Sequence, residues 1–124
     1  MPLEYCIDPD QGVVTITGDY ADAEGWRAML SAVLRDPQYR HGFSFLRDLR
    51  ASAHPVSSQT VVGIIAVVRE YWAKLGAHRA AIVTRRAGSD PAVVAHALAE
   101  YEHLPLKAFN SYEEAIVWLR EGRG

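Results

Sequence analysis

The stretch FSFLRDLRASAHPVSSQTVVGIIAVVREYWAKLGAHRAAIVT, residues 43–84, sets the architecture of the chain: an apolar run, a long segment with helical period, and a second short apolar run. Residues 43–49 read as a strand. Val56, Ser57 and Ser58 then open a helix in which Val61, Ile64, Ile65, Val68, Trp72 and Leu75 share a face, while Arg69, Glu70 and Lys74 lie off its centre. Gly76 supplies the stop. The β-branched content of this helix lowers its intrinsic propensity, so burial must stabilise it. Residues 80–84 suit a strand covered on at least one face. Strand, helix and strand in that order predict parallel pairing through a right-handed crossover.

Outward from this unit the pattern continues in both directions. Upstream, residues 3–8 and 12–18 are rich in Tyr, Ile, Val and Thr and flank the turn-forming Pro9, Asp10 and Gln11, which predicts an antiparallel hairpin. Asp22 is placed to cap a helix whose stripe is Trp26, Met29, Leu30, Val33 and Leu34, ending near Pro37. Downstream, Asp90 and Pro91 open a helix to about His103, Pro105 blocks its continuation, and residues 106–109 form a last strand. Ser111, three residues ahead of Glu114, marks a capping box for a final helix with Tyr112, Ala115, Ile116 and Leu119 on one face. The expected fold is a single α/β domain over residues 1–124. Its mixed five-stranded sheet begins with the hairpin and continues in parallel βα units, with about four helices mainly on one face.

The 124 residues are 49% hydrophobic and 23% charged, which suits one core. Thirteen basic against fifteen acidic residues leave a net charge of −2, without the basic excess that drives nucleic-acid binding. No apolar run approaches the roughly 18 to 20 residues of a membrane span, and residues 1–4 lack a signal-peptide pattern, so a cytoplasmic protein is expected. Cys6 is the single cysteine, which excludes an internal disulfide. On the first strand it reads as a buried small apolar residue.

Phe45-Leu46-Arg47-Asp48-Leu49-Arg50 on the third strand and the closing run from Phe109 to Leu119 (FNSYEEAIVWL), in this element order, resemble the SpoIIAA-like (STAS-like) family. The resemblance spans nearly the whole chain. It implies a SpoIIAA-like fold, whose relatives include anti-sigma-factor antagonists, domains attached to anion transporters and, more distantly, the lipid-binding CRAL-TRIO fold. In the antagonist branch an Asp-Ser-Ser-Gly at a helix start carries a phosphorylated serine. Here the corresponding residues are Val56, Ser57, Ser58 and Gln59, so the serines match and the flanking Asp and Gly do not. Ser57 and Ser58 therefore read either as helix caps or as a phosphosite at a helix N-terminus.

His96, Glu100 and His103 fall on one helical stripe. That stripe reads first as a solvated polar face, with a divalent metal as the alternative. His54, before Pro55, lies near the sheet edge where α/β folds bind ligands, as a loop residue or a site residue. Asp48, Arg50 and Arg85 come together if adjacent parallel strands align their C-terminal ends, and the arginines there suit an acidic or anionic partner. No glycine-rich phosphate fingerprint, paired catalytic constellation or cofactor motif is present. The leading expectation is a non-enzymatic interaction or regulatory module with a protein partner, its surface around residues 48–60. The alternative is a small carrier or sensor holding an apolar or anionic ligand between the long helix and the sheet. A sheet face left bare by one-sided helices, with Thr15, Thr17 and either Phe43/Phe45 or Ser44/Leu46, predicts a homodimer.

Overall fold

Asp8 turns the first hairpin. Its carboxylate accepts the amides of Asp10 (3.1 Å) and Gln11 (3.2 Å). Its carbonyl accepts the amide of Gly12 (2.8 Å), which takes the left-handed backbone (φ +68°) that the return requires. The hairpin joins β1 (Glu4–Asp8) to β2 (Val13–Thr17), antiparallel from Glu4 opposite Thr17 to Asp8 opposite Val13. The computed structural model describes residues 3–18, 22–50, 58–85 and 103–121. Within them follow α1 (Ala23–Arg35), β3 (Ser44–Asp48), α2 (Ser58–Leu75), β4 (Ala80–Val83), β5 (Leu106–Phe109) and α3 (Tyr112–Arg120). The sheet runs β1-β2-β3-β4-β5, with every pair after the hairpin parallel. The helix expected over residues 90–103 lies outside the described residues except for its last position.

The caps form where the side chains dictate. Asp22 accepts the Gly25 amide at 2.9 Å to start α1, and the Ser111 hydroxyl accepts the Glu114 amide at 3.3 Å to start α3. Gly76 ends α2 with φ +58°, and a Cβ there would lie 2.8 Å from the His41 ring. The Tyr39 hydroxyl donates to the Leu75 carbonyl at 2.6 Å, tying the loop before β3 to the end of α2. Burial pushes that phenol up to about 12.

Two apolar layers sandwich the sheet. Val14, Ile16, Phe45, Ile82 and Leu106 pack against Trp26, Leu30 and Val33 of α1 and Val61, Ile64 and Ile65 of α2. Val13, Leu46, Ala81 and Val83 pack on the opposite face against Ala115 and Leu119 of α3. Of the three described helices, α1 and α2 share a face, as expected for helices mainly on one side, and α3 takes the other. The crossover rule constrains connections between parallel strands, and α3 follows the last strand, so the rule leaves its side open. Residues 80–83 of β4 are all buried, as a strand covered on both faces must be.

This arrangement removes the argument for a bare apolar face. Ser44 and Leu46, the register the sheet adopts on that side, are fully buried beneath α3, and the Ser44 hydroxyl donates to the Leu119 carbonyl at 3.4 Å. The remainder of the face, beside the hairpin, carries Glu4, Cys6 and Asp8, all exposed, with Thr15 and Thr17 half-buried. Cys6 is exposed rather than buried, because the strand alternation turns Tyr5 and Ile7 inward instead.

Helix α2 has a second contact face, against α1. Val67 and Tyr71 are buried there, the Tyr71 and Ser31 hydroxyls hydrogen-bond at 2.8 Å, and Arg27 pairs with Glu70. Gly63 lies in this seam, where an added Cβ would meet the Ala23 methyl at an ordinary 3.7 Å. Gly63→Ala is therefore expected to stabilise the fold by about 0.5–1 kcal/mol through helix propensity alone. A lowered urea midpoint would show that the helices are packed more tightly at this point.

Candidate functional site

Strand alternation decides what faces the α1–α2 layer. Along β3, Ser44, Leu46 and Asp48 point to α3, while Phe45 and Arg47, followed by Leu49, point to the two-helix side. An arginine thereby occupies a core position of the central strand, 7% exposed. Two of its guanidinium nitrogens donate to backbone carbonyls, Nη1 to Ile16 (3.3 Å) and Nη2 to Gly18 (2.9 Å). The guanidinium carbon lies 5.7 Å from the centre of the Trp26 ring, a cation–π separation.

Beside this pair is a cavity of about 80 Å³. Ile16, Phe45, Ala80 and Ile82 form its sheet wall, and Leu30 of α1 with Val61, Ile64, Ile65 and Trp72 of α2 form its helical wall. Trp26 and Arg47 also line it, and the surface that the lining presents to the cavity is almost entirely apolar. Trp26 is 6% exposed, and its buried indole Nε1–H has no hydrogen-bond partner among the described residues. A buried donor left without an acceptor is rare, because burial removes the water that would otherwise satisfy it. The cavity lies where the apolar Val61–Val68 segment was expected to meet the sheet.

The sequence-derived candidates fall elsewhere. Asp48 ends β3 on the α3 side and accepts three hydrogen bonds from Arg50: its amide and Nε at 3.0 Å, and Nη2 at 2.9 Å. The Arg50 guanidinium also sits 5.1 Å from the centre of the Tyr112 ring. Arg85 is exposed just beyond β4. His103 is exposed with a left-handed backbone (φ +59°). His96 and Glu100 lie outside the described residues, as do His54 and Ser57, while Ser58 is the first residue of α2. Among the described residues no three His, Cys, Asp or Glu side chains gather as a metal site would require. No described helix is long and apolar enough to cross a membrane.

Arg50 holds the Asp48 carboxyl below its usual value, chiefly through the side-chain hydrogen bonds, with partial burial opposing and the Arg47 charge assisting. A carboxyl whose value is lower in the folded chain contributes stability that is complete above the unfolded value, near 3.9, and is lost as the pH falls through the folded value. Asp48→Asn is therefore expected to flatten the loss of stability below about pH 4. Urea midpoints between pH 2 and 6 measure this, and parallel curves for the two proteins would show that the pair does not couple to folding.

Arg47 and Trp26 were legible as residue types but not as a pair. The signal for Arg47 was its place in the Phe45-Arg47-Leu49 alternation, which puts a cation in core register. No family model matches the chain, and it matches neither a curated protein nor a solved structure.

Proposed function

We propose that this chain is a non-enzymatic binding module, a small carrier or sensor whose ligand occupies the cavity between α2 and the sheet. The observation that carries the reading is the cavity itself: an apolar cavity between the sheet and both helices of the layer. Its volume, about 80 Å³, is well below the roughly 300–1,000 Å³ of drug-sized pockets, so the ligand is small. The reading also draws on the resemblance to SpoIIAA-like domains, whose more distant relatives include the lipid-binding CRAL-TRIO fold.

The test is native mass spectrometry on protein purified without detergent or organic solvent, beside an Ala80→Leu variant. Ala80 faces the cavity from β4, and a leucine there adds three carbons to the chamber. A small apolar adduct on the wild type, extractable by solvent and missing from the folded variant, is the expected result. Bare masses for both proteins, with no thermal shift from three- to six-carbon apolar compounds, would refute the assignment.

A protein-docking role stands second, on one observation: exposed Arg50 at the end of β3 lies over Tyr112 of α3, so two elements present a joint surface beside Asp48. Pull-downs with wild type and Arg50→Glu separate this role from the first. A partner retained equally by both proteins would remove it.

A further inference from the structure

Strand β1 ends the sheet and pairs with β2 on one side only. An edge strand keeps unused N–H and C=O groups along its outer side, a template for another extended segment. Folds commonly close such a template with a very short strand, a proline or a bulge. The other edge is managed in this way: β5 has four residues, Pro105 precedes it, and the Leu104 carbonyl takes the Leu106 amide at 2.9 Å. None of these devices is present within β1, whose five residues pair with β2 one for one, without a bulge or a proline.

What β1 presents instead is charge. Alternation puts Glu4, Cys6 and Asp8 on its exposed face and turns Tyr5 and Ile7 toward the α1–α2 core. The two carboxylates stand four residues apart, about 14 Å along the strand. Their cross-strand neighbours are Thr17 and Val13, and no cation pairs with either carboxylate among the described residues.

We propose that the β1 edge takes an extended segment of a partner protein that carries basic side chains at the two positions facing Glu4 and Asp8, with apolar ones beside Tyr5 and Ile7. Main-chain hydrogen bonds supply the attraction and the two cross-strand ion pairs supply the preference. A second copy of this chain is disfavoured by the same register. Antiparallel pairing of two β1 strands over their full length sets Glu4 of each against Asp8 of the other, a like-charge contact at both ends. A repulsive element of this kind selects among partners that the backbone alone would accept. The surface is separate from the cavity, whose lining includes no residue of β1, so its failure leaves the ligand-binding reading standing.

The experiment titrates the 15N-labelled full chain with two acetylated and amidated peptides, Thr-Lys-Val-Ser-Val-Lys-Thr and its counterpart with glutamate at both lysine positions. The lysine peptide is expected to move the backbone amide signals of residues 4–8 and to leave that of Val117 on α3 in place. It should bind at least about fivefold more tightly than the glutamate peptide at low ionic strength, an advantage that shrinks as salt screens the pairs. Glu4→Lys is expected to lose most of that preference and to self-associate in sedimentation, because the new cation faces Asp8 of the second copy at both ends, whereas the wild type stays monomeric.

A glutamate peptide that binds as tightly, a lysine peptide that moves no β1 amide, or a Glu4→Lys chain that keeps the full preference overturns the proposal. So does a wild type that dimerises with its β1 amides protected from exchange, since the edge then belongs to a second copy. The titrations are read on the wild type, so they decide the matter even if Glu4→Lys does not fold.

Discussion

Leu46→Ala is expected to lower the unfolding free energy by about 3–4 kcal/mol, with an unchanged dependence on denaturant concentration. Leu46 is fully buried on the central strand, beneath Ala115 and Leu119 of α3 and beside Val13 and Ala81 of the flanking strands. Truncation removes three carbons from a site whose neighbours belong to a rigid sheet, so collapse around the void is limited and the cavity contribution adds to the lost transfer energy. For a domain whose total stability is on the order of 5–15 kcal/mol, that is a large fraction. Val117→Ala on the outer face of the same helix, where Val117 is 61% exposed, is expected to stay within about 0.5 kcal/mol of wild type. The contrast measures how firmly α3 is seated. A loss below about 1 kcal/mol for Leu46→Ala would mean that α3 does not cover β3. The cavity lies on the other side of the sheet, so the folded fraction of Leu46→Ala should bind ligand as the wild type does.

The elements were legible in the sequence because local chemistry marked their ends. Asp22, Gly76 and Ser111 each perform in the structure the cap or stop that their residue types imply, while Asp8, read as the end of a strand, holds the turn at Pro9, Asp10 and Gln11. What the pattern could not supply is which face a terminal helix takes, and that choice reverses the reading of Ser44 and Leu46 from exposed patch to core. The one-stripe reading of α2 also omitted Val67 and Tyr71, which are buried by α1. A helix that packs against both a sheet and a neighbour has a wider buried arc than a single stripe describes.

At the site, the same alternation that placed Phe45 in the core placed Arg47 there too, two residues on. Charge is a poor guide to such a position, since arginine is rarely found inside without bonds to hold it. The exposed residues Arg50 and Arg85 stood out instead because strand ends in α/β folds so often carry ligands. The described structure gives Asp48 and Arg50 to each other, whereas Arg47 lies in the core among the residues that line the cavity.

Arg47→Ala is the second variant with a large expected effect, a loss of about 3 kcal/mol, and its interpretation depends on two companions. The guanidinium satisfies the carbonyls of Ile16 and Gly18 and covers the Trp26 ring, so alanine removes the donors and the packing together. Arg47→Met restores most of the volume without the donors. Gly18 is partly exposed and its carbonyl can recruit water, which limits the expected loss for methionine to about 1–2 kcal/mol. Arg47→Lys keeps the charge but cannot reproduce the planar fork, and a similar loss is expected. Chemical denaturation of the three proteins orders them. If Arg47→Met proves as stable as the wild type, the buried charge contributes nothing net to folding, as happens when a hydrophobic isostere replaces a buried ion. The prediction would then fail for stability, and the reason for an arginine at a core position would have to be sought in what the cavity binds. If the expected order holds, the guanidinium serves the fold first, and its field at the Trp26 indole is a consequence of where the fold needs it.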